Sequence, residues 1–235
     1  MQNEGKMLTI ISEDKADHAD VARSLATATG CAVAVPNYRL TPKSQGEFRH
    51  PGHAQDILRM LEFILHWTPH ANARVSRQLM LIGHSCSAHM LSSIFLDSGE
   101  ATLKPTDELL KAVKGIVMSE GIYDLDNLLA AFPKYREWFI EPAFGPATSY
   151  QAFSTLGYPP WPASAITWLV LHSKGDSLID LQQSEKMYQH LLNIQPYDVD
   201  ADFASLIEEH DDVLRGTEYV KVIKDFARRT IGIQI

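Results

Sequence analysis

Gly83-His84-Ser85-Cys86-Ser87 sets a serine between an apolar run, Gln78-Leu79-Met80-Leu81-Ile82, and a helical pattern from about Ser87 to Leu96. A serine on a tight strand-to-helix turn presents its hydroxyl as a nucleophile, and small residues two before and two after it let the two backbones approach. Here Ser87 stands at the second small position, followed by Ala88. A hydroxyl needs a base, and the base needs a carboxylate to orient it. Asp176, in His172-Ser173-Lys174-Gly175-Asp176, and His210, in Glu208-Glu209-His210-Asp211-Asp212-Val213, follow in the order serine, acid, histidine. The chemistry this set supports is acyl transfer to Ser85 and then to water. The backbone N–H of Cys86, at the start of the helix, is placed to stabilise the oxyanion, and a second donor is unassigned. Taken singly, Ser85 also suits a helix cap, Asp176 a turn and His210 a surface loop. Their order and context together point to catalysis.

Those residues need a scaffold. Ala32 to Val35 ends at Pro36 and reads as a buried strand, as do Gln78–Ile82, Lys114–Met118 and Ile166–Leu171. Between them run helical patterns. From His53 to Trp67, Ile57, Leu61 and Ile64 share one face; from Leu181 to Leu192, Leu181, Ser184, Tyr188 and Leu191 do. The last helix, Thr217 to about Thr230, has Thr217 as its expected N-cap and Arg228 and Arg229 near its C-terminus. An extended stretch, Asp202 to Ile207, precedes it. Apolar strands alternating with helices predict a mainly parallel sheet with helices on both faces, in one domain over residues 1–235. Strand C-termini are where sites gather in such sheets, and Asp176 follows one.

Composition narrows the functions available. The chain has 235 residues, 45% hydrophobic and 21% charged, with a net charge of −8. That is globular, and too acidic to favour nucleic acid or an anionic membrane. Two cysteines, Cys31 and Cys86, exclude a disulfide framework and a thiolate-rich metal site and fit a reducing, cytoplasmic setting. The start lacks the regions of a signal peptide, and no run approaches the length of a membrane span. His50 with His53, and His66 with His70, lack a further ligand at motif spacing, and Pro69 breaks the second pair's helix, so no metal is expected. No phosphate-binding glycine motif occurs, so no cofactor is expected. Between Phe132 and Pro162 lie nine aromatics and half of the twelve prolines, which predicts a lid at about 130–163.

With these residues in view, the chain resembles an α/β-hydrolase, and more narrowly the fungal kynurenine formamidases (arylformamidases). Asn37-Tyr38-Arg39-Leu40-Thr41-Pro42, continued by His50-Pro51 and Asp56, is similar to that family's Y-R-L-[ST]-P region. Gly83-His84-Ser85 matches its elbow, and Glu120-Gly121-Ile122-Tyr123-Asp124-Leu125 resembles its D-G-I-Y-[DS]-L. His172 to Asp176 and His210 to Val213 resemble the segments holding its acid and base. The resemblance implies hydrolysis of N-formyl-L-kynurenine to L-kynurenine and formate, a step of tryptophan breakdown towards NAD, without a cofactor. Ser85 would be the nucleophile, Asp176 the acid and His210 the base. A small aromatic formamide is then the expected partner, and aromatics such as Tyr123, Trp138 and Phe139 are candidates to bind it. A homodimer is compatible with this reading.

The chain departs from the family in one segment. The family places an H-G-G-[AG]-W oxyanion motif after an early strand, and no Gly-Gly occurs here. Its place falls at Leu8 to Asp14, before a helix carrying Val21, Leu25 and Ala28 and ending at Gly30. The expectation is therefore a hydrolase sheet lacking its first strands. Two other functions fit the same residues: a general carboxylesterase or lipase-like enzyme, and a catalytically impaired hydrolase-fold binding protein.

Overall fold

A computed structural model describes residues 6–11, 15–41, 48–67, 77–162, 164–194 and 199–233, with Met7 the one side chain described in the first segment. Pro42, Pro69, His70, Ala163 and Ser12 to Asp14, which the sequence reading used, lie outside the described residues.

Among the described residues six strands form one sheet: β1 (Lys6–Ile11), β2 (Ala32–Ala34), β3 (Gln78–His84), β4 (Val113–Ser119), β5 (Thr167–Leu171) and β6 (Val199–Asp202). Their order is β2-β1-β3-β4-β5-β6, and every pairing is parallel. Among the described residues the sheet ends at β2 on one side, and β1 lies inside it between β2 and β3. β2 is thus an edge strand, with Ala32 exposed and Val33 and Ala34 half-buried, where the apolar run predicted a buried one. The extended stretch before the last helix is likewise displaced: the strand is β6, and the residues after Asp202 are loop.

The central strands alternate between two cores, as their two-residue period requires. On one face Met80 and Ile82 of β3, Val117 of β4 and Leu169 and Leu171 of β5 meet Val21 and Leu25 of α1 (Ala19–Thr29) and Tyr219, Ile223 and Phe226 of α8 (Thr217–Ile231). On the other face Leu79, Leu81, Ile116, Met118, Trp168 and Val170 meet α2 (Gly52–His66), α3 (Cys86–Phe95), α4 (Asp107–Ala112) and α7 (Leu181–Asn193). Ile57 and Leu61 of α2 are fully enclosed. Each such side chain contributes about 1.5–3 kcal/mol through burial. α7 faces the sheet with Gln183, Ser184, Met187 and Leu191, while Leu181 is 40% exposed, so the face predicted for this helix is rotated. α1 and α8 end in left-handed glycines, Gly30 and Gly232. The N-cap of α8 is Gly216, one residue before the expected Thr217.

The aromatic segment follows α5 (Leu125–Ala131) and contains a π-helical turn Arg136–Ile140 and α6 (Glu141–Phe144). It carries a third core, in which Phe132, Tyr135, Phe139, Phe144 and Phe153 pack around Leu125, Leu128, Ile140 and Tyr150. Trp161 instead anchors the far end, its Nε1–H donating to the carbonyl of Ile94 at 2.9 Å.

Candidate active site

All six strands point the same way, so the loops leaving their C-termini share one edge of the sheet. Ser85 leaves β3, Glu120 leaves β4, Asp176 follows β5 and His210 follows β6.

Ser85 sits at φ 56° and ψ −124°, a backbone conformation favoured by glycine, and its side chain does not cap α3. The turn is held by its N–H, which donates to the Ser119 carbonyl at 2.9 Å, and by the Ala88 N–H, which donates to the Ser85 carbonyl at 3.1 Å. Gly83 is required: a Cβ there would lie 2.9 Å from the Ala88 nitrogen and from the Ser87 carbonyl carbon. Ser87, fully buried, is small enough for the same close approach. Cys86 opens α3, so its N–H has no acceptor within the helix and adds to the positive end of the dipole. Its Sγ lies 3.6 Å from the Tyr38 hydroxyl, which brings the Tyr-Arg-Leu segment against the elbow.

The structure brings His210 and Asp176 together: His210 Nδ1–H donates to Asp176 Oδ2 at 2.7 Å. The other oxygen, Oδ1, accepts from the N–H groups of Leu178 at 2.8 Å and Ile179 at 2.9 Å. The Asp176 side chain is entirely enclosed and that of His210 is 6% exposed. Burial alone would raise the Asp176 pKa, but hydrogen bonds from His210, Glu120 and the Ile179 N–H outweigh it and hold the carboxyl well below its ordinary range. With Nδ1 committed to the carboxylate, Nε2 of His210 keeps the lone pair that a base needs.

The two loops are tied together. Ser173 Oγ donates to the Glu208 carbonyl at 2.5 Å, Lys174 N–H to the Leu206 carbonyl at 3.0 Å, and Ser177 Oγ to Glu209 Oε2 at 2.7 Å. Gly175 makes this packing feasible, because a Cβ there would stand 2.2 Å from the Ile207 carbonyl oxygen. His84 packs its ring 4.6 Å from that of His210, and burial pushes it down to about 4, so it is neutral.

One site residue escaped the sequence reading except as a letter in a matched motif. Glu120 has φ 53° and is fully buried, and its Oε1 accepts the Ser173 N–H at 2.9 Å. Its position directly after an apolar strand, as for Ser85, was the available signal. Two sets of ligand-type side chains converge here, His84 with His210 and Asp211, and Glu120 with His172 and Asp176, each within 4.8 Å. Each holds one member of the His210–Asp176 pair together with its neighbours. Elsewhere His53 bonds Thr41 Oγ1 at 2.9 Å and His50 stacks among His89, Phe144 and Phe153, so their rings serve packing.

The aromatic candidates are placed differently from one another. Tyr123 is fully buried in the main core, Phe139 is half-buried in the third core, and Trp138 is 65% exposed at the surface.

Comparison with known proteins agrees with this fold. The model of the α/β hydrolase fold family matches residues 9–156. Among curated relatives, kynurenine formamidase avaC of Aspergillus versicolor is 28% identical over 210 residues, covering 79% of this chain and 71% of that protein. A kynurenine formamidase of Meyerozyma guilliermondii is 29% identical over 161 residues, covering 66% of this chain and 57% of its own length. Among solved structures, an inhibited esterase B from Lactobacillus rhamnosis superposes with a TM-score of 0.70 at 18% identity, covering 95% of this chain and 75% of the other. A lipase/esterase from Lactobacillus plantarum gives 0.66 at 17%, covering 97% and 87%. The family match spans more than half of the chain and includes the elbow, and the chain belongs to the α/β hydrolase fold family, with fungal kynurenine formamidases among its relatives.

Proposed function

We propose that the chain hydrolyses N-formyl-L-kynurenine to L-kynurenine and formate by a Ser85–His210–Asp176 mechanism, a step in tryptophan breakdown. The observation that carries the mechanism is the enclosed 2.7 Å pair of His210 and Asp176, on loops of the same sheet edge as the positive-φ Ser85. The substrate rests on the two formamidase relatives.

In the first half-reaction Ser85 Oγ attacks the formyl carbon while His210 Nε2 takes its proton. The oxyanion forms against the Cys86 N–H. On collapse His210 returns the proton to the aryl amine, which leaves as kynurenine, and Ser85 holds a formyl ester. Water, deprotonated by His210, then adds to the formyl ester, and the Ser85 Oγ–carbon bond breaks to release formate as His210 returns the proton to Ser85 Oγ. Asp176 stays ionised throughout and steadies the imidazolium. Residues 130–163 act as a lid within one domain, and half-buried Phe139 and exposed Trp138 are the rings of that lid we propose for contact with a flat aromatic substrate. Neither Cys31 nor Cys86 is in a disulfide, which suits a reducing, cytoplasmic setting.

The test is incubation of the folded protein with N-formyl-L-kynurenine. Kynurenine release that disappears in Ser85→Ala is the expected result, and no Ser85-dependent release sinks the proposal. The esterase likeness of the fold supports a second reading, a general carboxylesterase. Turnover of short p-nitrophenyl esters with none of the formamide selects it. The absent Gly-Gly supports a binding protein instead, and a folded chain unreactive to a fluorophosphonate probe at Ser85 selects that.

A further inference from the structure

Glu120 and Asp176 bring two carboxyl groups together in a place with little to neutralise them. Glu120 leaves β4 at φ 53° with its side chain fully enclosed, and one oxygen accepts the Ser173 N–H. The other, Oε2, is buried and receives no hydrogen from any described residue. One of its oxygens, one of Asp176 and one ring nitrogen of His172 lie within 4.8 Å of one another. Asp176 already accepts hydrogens from His210 at Oδ2 and from Leu178 and Ile179 at Oδ1, which leaves one lone pair, on Oδ2, open to a further donor. Among the described residues no lysine or arginine pairs with either carboxyl, and His172, its Nδ1 3.0 Å from Ser184 Oγ, is kept towards neutrality by burial.

The remaining titratable neighbours add no positive charge. They are the hydroxyls of Tyr123, on the segment after β4, Tyr219, on α8, and Tyr135, in the aromatic segment, the neutral imidazole of His84 on β3, and the carboxylate of Glu208 on the histidine loop. Two adjacent buried carboxylates cannot both ionise, so one proton stays with the pair. Asp176 accepts three hydrogens from elsewhere, which favours its charged form. The proton therefore belongs on Glu120.

We propose that Glu120 is a neutral carboxylic acid that donates its Oε2–H to Asp176, a positioning residue that holds the triad carboxylate in place and limits its basicity. The role rests on the triad reading of Ser85, His210 and Asp176. Burial and the neighbouring Asp176 both push the Glu120 carboxyl far up, in agreement with this assignment. In function the donated hydrogen offsets charge on Asp176, so the His210 proton stays on the imidazole during acylation instead of passing to the carboxylate.

The decisive measurement needs no substrate and so separates failure of this proposal from failure of the proposed reaction. In the unfolded chain Glu120 ionises near its ordinary pKa of 4.5, whereas in the folded chain it keeps its proton. Folding then takes up one proton, and the wild type loses about a tenfold factor in its folding constant per pH unit relative to Glu120→Gln. Unfolding of both proteins between about pH 5.5 and 8.5 is expected to show the difference moving steadily in favour of Glu120→Gln as pH rises. A difference independent of pH overturns the proposal, because it means that Glu120 is ionised in the folded state. The positioning role is read from Ser85 labelling by a fluorophosphonate. Glu120→Gln, which keeps an N–H donor, is expected to label at the wild-type rate with the same acid limb. Glu120→Leu is expected to slow by about tenfold or more with its acid limb moved up. A Gln variant as slow as the Leu variant, or a Leu variant with the wild-type profile, overturns that role. If the Leu variant does not fold, the stability series with Gln decides the protonation state, and the Gln labelling rate decides the positioning role.

Discussion

The proposed roles of Ser85, Asp176 and His210 could be read from the sequence because nucleophilic chemistry would constrain both residue type and chain order, and each sits beside a recognisable strand end. Glu120 was not, since its meaning depends on a partner 56 positions away that only the folded sheet brings near. The same limit applies to Tyr123, an aromatic candidate for substrate contact on sequence grounds that the fold encloses completely. Two substitutions separate side-chain from backbone roles. Asp176→Asn is expected to lower kcat by about 10⁴-fold, because an amide favours the wrong imidazole tautomer. Steady-state kinetics at neutral pH checks this. Cys86→Ala is expected to leave kcat near the wild-type value, because the proposed oxyanion donor is the main-chain N–H and not the thiol. A large loss there would assign chemistry to the Sγ that contacts Tyr38.

At the scale of elements, the central strands and long helices were readable because their apolar periods are long and unbroken. β6 was misplaced because Val199-Asp200-Ala201-Asp202 alternates with acids, as an edge strand tolerates. α5 and the π-helical turn escaped because seven or fewer residues give too little period to detect. The turn between β5 and α7 offers a test of how the loops set the site. Gly175→Ala drives a Cβ into the Ile207 and Glu208 carbonyl oxygens, at 2.2 and 2.6 Å. The expected result is a loss of about 1–3 kcal/mol of stability, with kcat reduced by about 10²-fold as Asp176 and His210 separate. Gly157→Ala is the control, with nothing within 4 Å of the added Cβ, and is expected to leave both melting and turnover unchanged.

Across the whole molecule, buried titratable groups of opposite sense shape stability against pH. Burial pushes His50 and His84 down to about 4 and His89 to about 3, with His53 and His50 adding to the effect on His50 and His89 respectively. Their folded pKa values lie below the ordinary 6.5, so protons favour the unfolded chain. Their stabilisation is complete above about pH 6.5 and is lost as pH falls towards 4 and then 3. Glu120 acts the other way, since its raised folded pKa removes stability as pH rises above 4.5. Three histidines outweigh one carboxyl on the acid side, and the carboxyl stands against none of them on the alkaline side. Melting temperature is therefore expected to peak near neutrality and to fall faster towards pH 5 than towards pH 8, which a series of thermal melts checks. The turn at Ser85 bears on the same stability from another direction. Its backbone would suit glycine better than any residue with a side chain, so the replacement most welcome to the fold is one that ends the proposed chemistry. At that turn the conformation that suits the backbone best and the side chain that the proposed chemistry requires pull in opposite directions.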